Sequence, residues 1–282
     1  MPDRPSLLLV TDLTYPARGR RYGDEDVRLA AQLRTDFDVA LCHPLDARAL
    51  MDGFDLVLVR NSGPVIHHQH EFEAFAGHAR RTGARVFTQL TGRADMAGKQ
   101  YLVDLGRAGH PVIPTVDDPA HLGDLPPAEE YVVKPKLGAD SIGLRVVPRH
   151  ELTGTAAPDR SLLVQPRIRF RYEVSFYFVD HDFQYALHAP DPHRRWDLEP
   201  YPATADDLAF AQRFIDWNTI EHGIQRVDAC RTPEGDLLLV ELEDLNPYLS
   251  LDRLDENTRQ AFVVSLRSAL HRLHARPTSP QN

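Results

Sequence analysis

Lysine is nearly missing from this chain: of its 32 basic residues only Lys99, Lys134 and Lys136 are lysine, and the other 29 are arginine. Cysteine is scarcer still, and Cys42 and Cys230 are too few and too isolated for a disulfide framework or a zinc site. Both sit among strand-like residues, which fits a reduced cytoplasmic setting. Long apolar runs are missing as well. The run "LLLV" near the start is too short for the h-region of a signal peptide, and no segment approaches the roughly 18 apolar residues of a membrane span. Nor is there a surplus of positive charge, since the formal net charge is -9 and the arginines are scattered among acids. A field of that sign repels nucleic acid and excludes DNA or RNA as the main ligand. A soluble cytoplasmic protein without membrane or nucleic-acid partners is expected. Its oligomeric state, homodimer included, is left open.

What is present suffices for a real core, because 282 residues need no staple and suit one large domain or two to three small ones. Up to about residue 117 the pattern alternates. The β-rich runs "SLLLV" (6–10), "FDVALC" (37–42), "DLVLVR" (55–60) and "ARVFTQL" (84–90) are separated by helix-like "DEDVRLAAQLRT" and "EFEAFAGHARR". That order predicts an open, mostly parallel sheet with helices on its faces, whose ligands lie beyond the carboxyl ends of the strands. The polar loops after Val10 and Arg60 are therefore candidate substrate contacts. "MAGKQYLVDLGRAG" predicts an amphipathic helix that carries Lys99 and ends near Gly109. The proline-rich crossing "VDDPAHLGDLPPAEE" sets a boundary near residue 118. Beyond it "EYVVKP", "GLRVVP", "SLLVQPRI", "YEVSFYFVD" and "FQYALHA" predict an antiparallel α+β region. A helix over about 205–222, a hairpin "IQRVDACRTPEGDLLLVELE" and a helix over about 252–275 complete it.

Two of the three lysines lie in "YVVKPKLGADSIGLRVV". Gly138 and Gly143 let this turn approach a ligand closely, and its amides, with the Ser141 hydroxyl, can cradle phosphate oxygens. It is no Walker A loop, for it lacks the trailing K[ST] and precedes a strand. A compact ammonium on a flexible stem can follow a phosphoryl group as charge moves between oxygens, whereas a guanidinium demands a fixed fork. That is a reason to keep lysine here. A surface hairpin that merely contains two lysines is the rival reading, and the hairpin near the end of the chain weighs against it. With its turn at "PEGD" or at the central "EG", Arg226 faces Glu243 and Asp228 faces Glu241, all on one face of the sheet. Three carboxylates crowded there repel, and each tends to keep its proton. A divalent cation removes the conflict, and oxygen-only ligands favour magnesium over zinc. A solvated acidic edge is the commoner fate of such acids, but "DLLLVE" is too apolar for a wet strand. Cradle, lysines and triad together make a site for ATP and Mg2+.

At this point the sequence resembles the ATP-grasp superfamily, in the branch of D-alanine ligases, glutathione synthetases and especially cycloserine-forming ligases. The resemblance covers about residues 84–251 and is carried by the order of "GKQYL", "GHPVIPT", "VVKPKLGADSIG", "LLVQPRI", "YEVSFYFVD", "YPATADDLAFA", "RVDAC" and "VELEDLNP". It implies an N-terminal open parallel-sheet α/β domain over 1–117, a small lid over 118–168 and an antiparallel ATP- and magnesium-binding domain over 169–282. It also implies that Lys99 and Lys134 hold the ATP phosphates, with Lys136 beside them, and that Gly138 to Gly143, including Ser141, form a flexible phosphate loop. Gln165 to Ile168 match the hinge that reads the adenine edge, and Glu173 the ribose-binding acid. Asp228, Glu241 and Glu243 match the magnesium ligands, and Arg226, with Lys134, the catalytic cations, Arg226 steadying an acyl-phosphate. The chain departs from the pattern at Asp140, an acid in an anion-receiving loop, and at "PRI", which lacks the hinge glutamate. Asn246 is a candidate for part of the metal, phosphate or substrate duty.

The implied activity is ATP-dependent ligation: a substrate carboxylate attacks the γ-phosphate, and an amine or similar nucleophile captures the acyl-phosphate. The substrate would be amino-acid-like, ring closure in natural-product biosynthesis being one form of the reaction. A small-molecule kinase that transfers phosphate to a hydroxyl is the alternative, and a nucleotide-binding module without turnover is a third class. For the second substrate, Arg194 and Arg195 form one pair that could grip a carboxylate through bidentate forks. Arg169 and Arg171, on one side of a strand, form another. "HHQH", with His67, His68 and His70, reads as a polar lip of the substrate cleft, and Trp196 and Trp217 as packing residues. A serine or cysteine hydrolase is disfavoured, since no G-x-S-x-G elbow is present and neither cysteine looks activated.

Overall fold

The computed structural model describes residues 4–17, 20–61, 68–138, 141–154, 160–191, 194, 197–245 and 247–277. The chain starts with β1 (Ser6–Thr11), a short ribbon of β2 (Pro16–Ala17) and β3 (Arg20–Arg21), and α1 (Tyr22–Leu33). After these come β4 (Asp38–Cys42), α2 (Pro44–Leu50), β5 (Leu56–Asn61), α3 (Gln69–Thr82) and β6 (Val86–Phe87). The four longer-range strands form the expected parallel sheet in the order β4-β1-β5-β6. Leu7, Leu8 and Leu9 are all fully buried because both faces of that sheet are covered, which is why β1 reads as a continuous apolar run without alternation. Helix α3 stops at Gly83, whose left-handed φ of 68° closes the last turn. Two expectations change here. Helix α2 went unread because its seven residues are too few to show a period, although it has a proline in its first turn and an N-cap, His43, that accepts the Leu45 amide. The strand expected over 84–90 is only Val86–Phe87, since Thr88 turns away and exchanges hydrogen bonds with Ile224.

Lys99 lies just before α4 (Tyr101–Arg107), not within it. The chain bends at Gly98, where φ is 89° and a Cβ would press on the Leu137 side chain. A three-stranded antiparallel sheet follows, β8-β7-β9, with β7 Glu130–Pro135, β8 Arg145–Pro148 and β9 Leu162–Pro166. It has a small core of its own built from Val116, Tyr131, Val133, Val147 and Val164. The last unit is a five-stranded sheet, β12-β11-β10-β13-β14, in which β10 is Tyr172–Val179, β11 Asp182–Ala189, β12 Glu199–Pro200, β13 Ile224–Arg231 and β14 Leu237–Glu243. Helix α5 (Ala205–Asn218) is started by a capping box between Thr204 and Asp207, and α6 (Glu256–Ala275) by Asp255 accepting the Thr258 amide.

Period-two alternation gives this sheet two uses. Val174, Phe176 and Phe178 pack against Phe210 and Phe214 of α5 and against Tyr101, Leu102 and Leu105 of α4. Helix α4 thus joins the core of the last sheet, although it precedes residue 117. On the other face Tyr177, Val179, Tyr185 and Leu187 join Leu7 and Leu9 of β1, Leu29 of α1 and Leu266 and Leu270 of α6 in one core. That packing fixes the N-terminal unit against the sheet and leaves the face around Ser175, Asp228 and Glu241 only partly covered.

Candidate active site

The chemistry-bearing residues come together where β10, β13 and β14 lie side by side. Ser175 pairs with Asp228 and Tyr177 with Arg226 across one edge of β13, and Glu243 pairs with Arg226 and Glu241 with Asp228 across the other. Directly opposed residues of antiparallel strands share a face, so these side chains converge. The expected pairing of β13 with β14 holds, but by two offsets that cancel. Arg231 faces Leu237 across a turn in which Thr232 and Asp236 are bonded, one residue away from a turn centred on "EG". A bulge between Asp228 and Ala229, with Val240 as the extra residue, restores the alignment at the acids.

Asp228, Glu241 and Glu243 each offer a carboxylate oxygen within 4.8 Å of the others. Arg226 threads between them. Its Nε bonds Asp228 at 2.9 Å, its Nη2 bonds Asp228 at 2.8 Å and Glu243 at 2.5 Å, and its Nη1 donates to the Tyr248 carbonyl at 3.0 Å. Ser175 donates to Asp228 at 2.6 Å. On the Glu241 side stands the buried ammonium of Lys99, which touches Glu241 and bonds Asp95 at 2.6 Å. Burial works against the charge on Arg226, but Asp228 and Glu243 outweigh it and hold the guanidinium well above its ordinary value. Glu243 moves the other way, pushed up by burial to about 8 in spite of Arg226. Among the described residues, and with all of them ionised, the carboxylates of Asp95, Asp228, Glu241 and Glu243 form ion pairs with two cations, Lys99 and Arg226. The excess of two negative charges on oxygen-only donors suits one hard divalent ion, so the residues present fit magnesium. Arg226 shares this face as the strand alternation predicts, and the Lys99 ammonium against Glu241 adds a second cation.

No family model matches the sequence, and no curated protein matches it either. Solved structures do. D-cycloserine synthetase DcsG superposes with a TM-score of 0.72 over 95% of this chain and 99% of its own, at 23% identity. The D-alanine--D-alanine ligase of Bacillus anthracis, solved with ATP, gives 0.66 over 96% of this chain and 98% of its own, at 12% identity. A RiPP-associated ATP-grasp ligase of Chryseobacterium gregarium, solved with ADP and a leader and core peptide, gives 0.66 over 99% and 100%, at 14% identity. The chain has the ATP-grasp fold.

Within the ATP-grasp fold the remaining expected residues fall in different places. Lys134 is half-buried on β7, opposite Leu163 of β9. Lys136 is committed elsewhere: its ammonium bonds Asp117 at 2.8 Å and Gln100 at 2.5 Å, and its carbonyl accepts the Lys99 amide at 2.9 Å. It therefore ties the small sheet to the Lys99 segment. Ser141, with φ 61°, and Gly143, with φ 75°, both take the left-handed conformation that shapes the loop. Gly138 stands close to the Pro135 and Ile142 carbonyls, while Asp140 lies outside the described residues. Gln165 is buried, and its side-chain amide donates to Thr115 at 2.8 Å. Ile168 follows in the link to β10, and Glu173 shares the site face with Ser175 and Tyr177.

The second-substrate candidates are dispersed. Arg194 is exposed and pairs with Asp197, while Arg195 and Asn246 lie outside the described residues. Arg169 and Arg171 precede β10, which begins only at Tyr172, and Arg171 is held at the hairpin by the Pro233 carbonyl. His68 is the N-cap of α3 and meets the His43 ring edge-on at 5.9 Å, His70 is exposed, and His67 and Trp196 are not described. Trp217 packs, as expected, against Tyr101 and under Arg93. Both thiols are buried and pushed up by desolvation, Cys42 to about 11 and Cys230 to about 12, which leaves them unreactive.

Sequence reasoning missed five residues that build this centre: Asp95, Tyr101, Glu25, Asp26 and Arg60. Arg60, only 2% exposed, bonds Asp26 at 3.1 Å and donates from both Nη atoms to the Pro247 carbonyl at 3.2 Å. Glu25 accepts the amides of Leu249 and Leu251, each at 2.9 Å. Together they hold the loop whose Tyr248 carbonyl orients Arg226. One signal was available, a lone arginine in the apolar strand "LVLVRN".

Burial pushes Glu25 up to about 7, against the pull of Arg60. A carboxyl raised above its ordinary 4.5 favours the folded state while protonated and loses that contribution as pH climbs to its folded value. Glu25 should therefore lower the melting temperature of the ligand-free protein between about pH 4.5 and 7. A scanning-fluorimetry pH series on wild type and Glu25→Gln checks this, the variant showing the flatter profile. An unchanged slope would contradict it.

Proposed function

We propose that this chain is an ATP-dependent carboxylate–amine ligase that works through an acyl-phosphate on an amino-acid-like substrate. The observation that carries the reading is the centre at the ends of β13 and β14, where the carboxylates of Asp228, Glu241 and Glu243 lie within 4.8 Å of one another and, with Asp95, pair with Lys99 and Arg226. Asp228, Glu241 and Glu243 would hold Mg2+, which supplies charge neutralisation on the phosphates when bound. Lys99 and Lys134 would bind the phosphates, the loop from Gly138 to Gly143 would cover them, and the backbone of Gln165 to Ile168 and the Glu173 carboxylate would take adenine and ribose. Phosphoryl transfer asks for positioning and electrostatics more than for covalent chemistry, and this chain offers both.

Arg226 has the most constrained role. A guanidinium has five N–H donors. Among the described residues, Asp228, Glu243 and the Tyr248 carbonyl occupy four, and one Nη1 hydrogen remains for an anionic oxygen. Held this way, it would steady the acyl-phosphate and the tetrahedral species that follows. The similarity to D-cycloserine synthetase supports an amino-acid-like substrate and intramolecular ring closure. Hydroxylamine decides between ligase and kinase. With the right acid, ATP and Mg2+, the ligase gives ADP, phosphate and a trapped acyl hydroxamate, while a stable phosphorylated product without hydroxamate would establish the kinase. A thermal-shift screen of amino acids and small peptides beside a non-hydrolysable ATP analogue supplies that acid.

A further inference from the structure

Two residues of β14 and Asp244 just after it grip the segment that carries Lys99. Glu241 touches the Lys99 ammonium. The Leu242 amide, lying between two metal-site glutamates, donates to the Tyr101 hydroxyl at 2.7 Å. Asp244, fully buried, accepts the Ala94 amide at 3.1 Å and the Met96 amide at 2.7 Å, one on each side of Asp95. The circuit then closes. Tyr101 donates its hydroxyl proton to Asp95 at 2.9 Å, and the second Asp95 oxygen accepts from Lys99 at 2.6 Å. A ring of contacts thus runs from Leu242 through Tyr101, Asp95 and Lys99 to Glu241, the neighbour of Leu242.

The chemistry of each member is specific. Only a hydroxyl can accept from the Leu242 amide and donate to Asp95 with one atom, and the Tyr101 ring, 2% exposed, is locked in the core beside α5. Asp95 has both oxygens engaged within this ring, so its position is set by the strand that bears the metal acids. When Glu241 turns to a metal, Lys99 keeps one anionic partner. We infer that Asp95 and Tyr101 are positioning residues, a pin that holds the Lys99 ammonium at the metal–phosphate centre after Glu241 is drawn away from it. The inference rests on the ATP and magnesium reading above.

The test is calorimetric binding of MgADP, and separately of adenosine, to full-length wild type, Tyr101→Phe, Lys99→Met and the double variant. Loss of a hydrogen bond that orients a charged group is expected to weaken MgADP about tenfold in Tyr101→Phe. Adenosine binding should stay unchanged, because it does not reach Lys99, and Tyr101→Phe should cost nothing further once Lys99 is methionine. Equal losses for MgADP and adenosine, or the same loss in the Lys99→Met background, would show a packing role only and overturn the inference. If Tyr101→Phe does not fold, Asp95→Asn, which keeps the side-chain shape, takes its place: an effect that survives in the Lys99→Met background overturns the inference in the same way. Glu241→Gln separates the two levels. If it binds MgADP as wild type does, the metal reading falls and the inference with it. If it loses MgADP while Tyr101→Phe does not, only the inference falls.

Discussion

Glu241→Gln is expected to abolish ATP-dependent turnover while the protein stays folded. Glutamine keeps the shape of the side chain, the position is partly exposed near the end of β14, and Lys99 retains Asp95. Stability has little reason to change. The electrostatics change a great deal, because the acid cluster loses one of the two excess charges that make a divalent ion fit and gains a weaker, neutral ligand. Metal-assisted charge stabilisation supplies several kcal/mol, and at 1.36 kcal/mol per tenfold a loss of about 4 kcal/mol is about a thousandfold in rate. ADP release beside a melting curve checks both halves. Near-normal turnover would remove the metal assignment, and a collapsed melting curve would mean that Glu241 is structural.

Arg60→Ala is expected to be the most damaging single change to stability. Arg60 is buried with Asp26 and Glu25, and its removal at pH 8, where Glu25 is ionised, strands two buried carboxylates. Breaking a buried ion pair by deleting one partner costs about 3–5 kcal/mol. At 2–4 °C per kcal/mol for a chain of this size, the melting temperature should fall by roughly 10 °C. The Pro247 carbonyl loses its donors as well, which loosens the loop that presents the Tyr248 carbonyl to Arg226. Combining Arg60→Met with Glu25→Gln and Asp26→Asn should recover part of the loss, because a neutral trio has no stranded charge. A single Arg60→Ala shift of a degree or two would contradict this account of the buried trio.

The sequence showed those parts of the site that are written in local pattern. Alternation along "RVDAC" and "VELE" placed Arg226, Asp228, Glu241 and Glu243 on one face, and the pairing survived an error of one residue in the turn because the bulge at Val240 compensated for it. The parallel sheet was legible for the same reason, its strands being short apolar runs between helical ones. What stayed hidden depends on contacts distant in sequence. Tyr101 meets Leu242 across 141 residues, Met96 meets Asp244 across 148, and Glu25 meets Leu249 across 224. No spacing rule reports such pairs. Lys136 shows the converse: its motif suggests phosphate, while Asp117 and Gln100 hold its ammonium. The limits of α4 moved because the backbone at Gly98 turns where the apolar period continues.

A crystal structure with magnesium and a non-hydrolysable ATP analogue would show directly whether the acids of β13 and β14 hold a metal. It should show an ion among the oxygens of Asp228, Glu241 and Glu243 beside the analogue's phosphates, with the Lys99 ammonium moved from Glu241 to a phosphate oxygen while still bonded to Asp95. An analogue bound with no ion among the three carboxylates, or seated away from β13 and β14, would contradict the metal assignment.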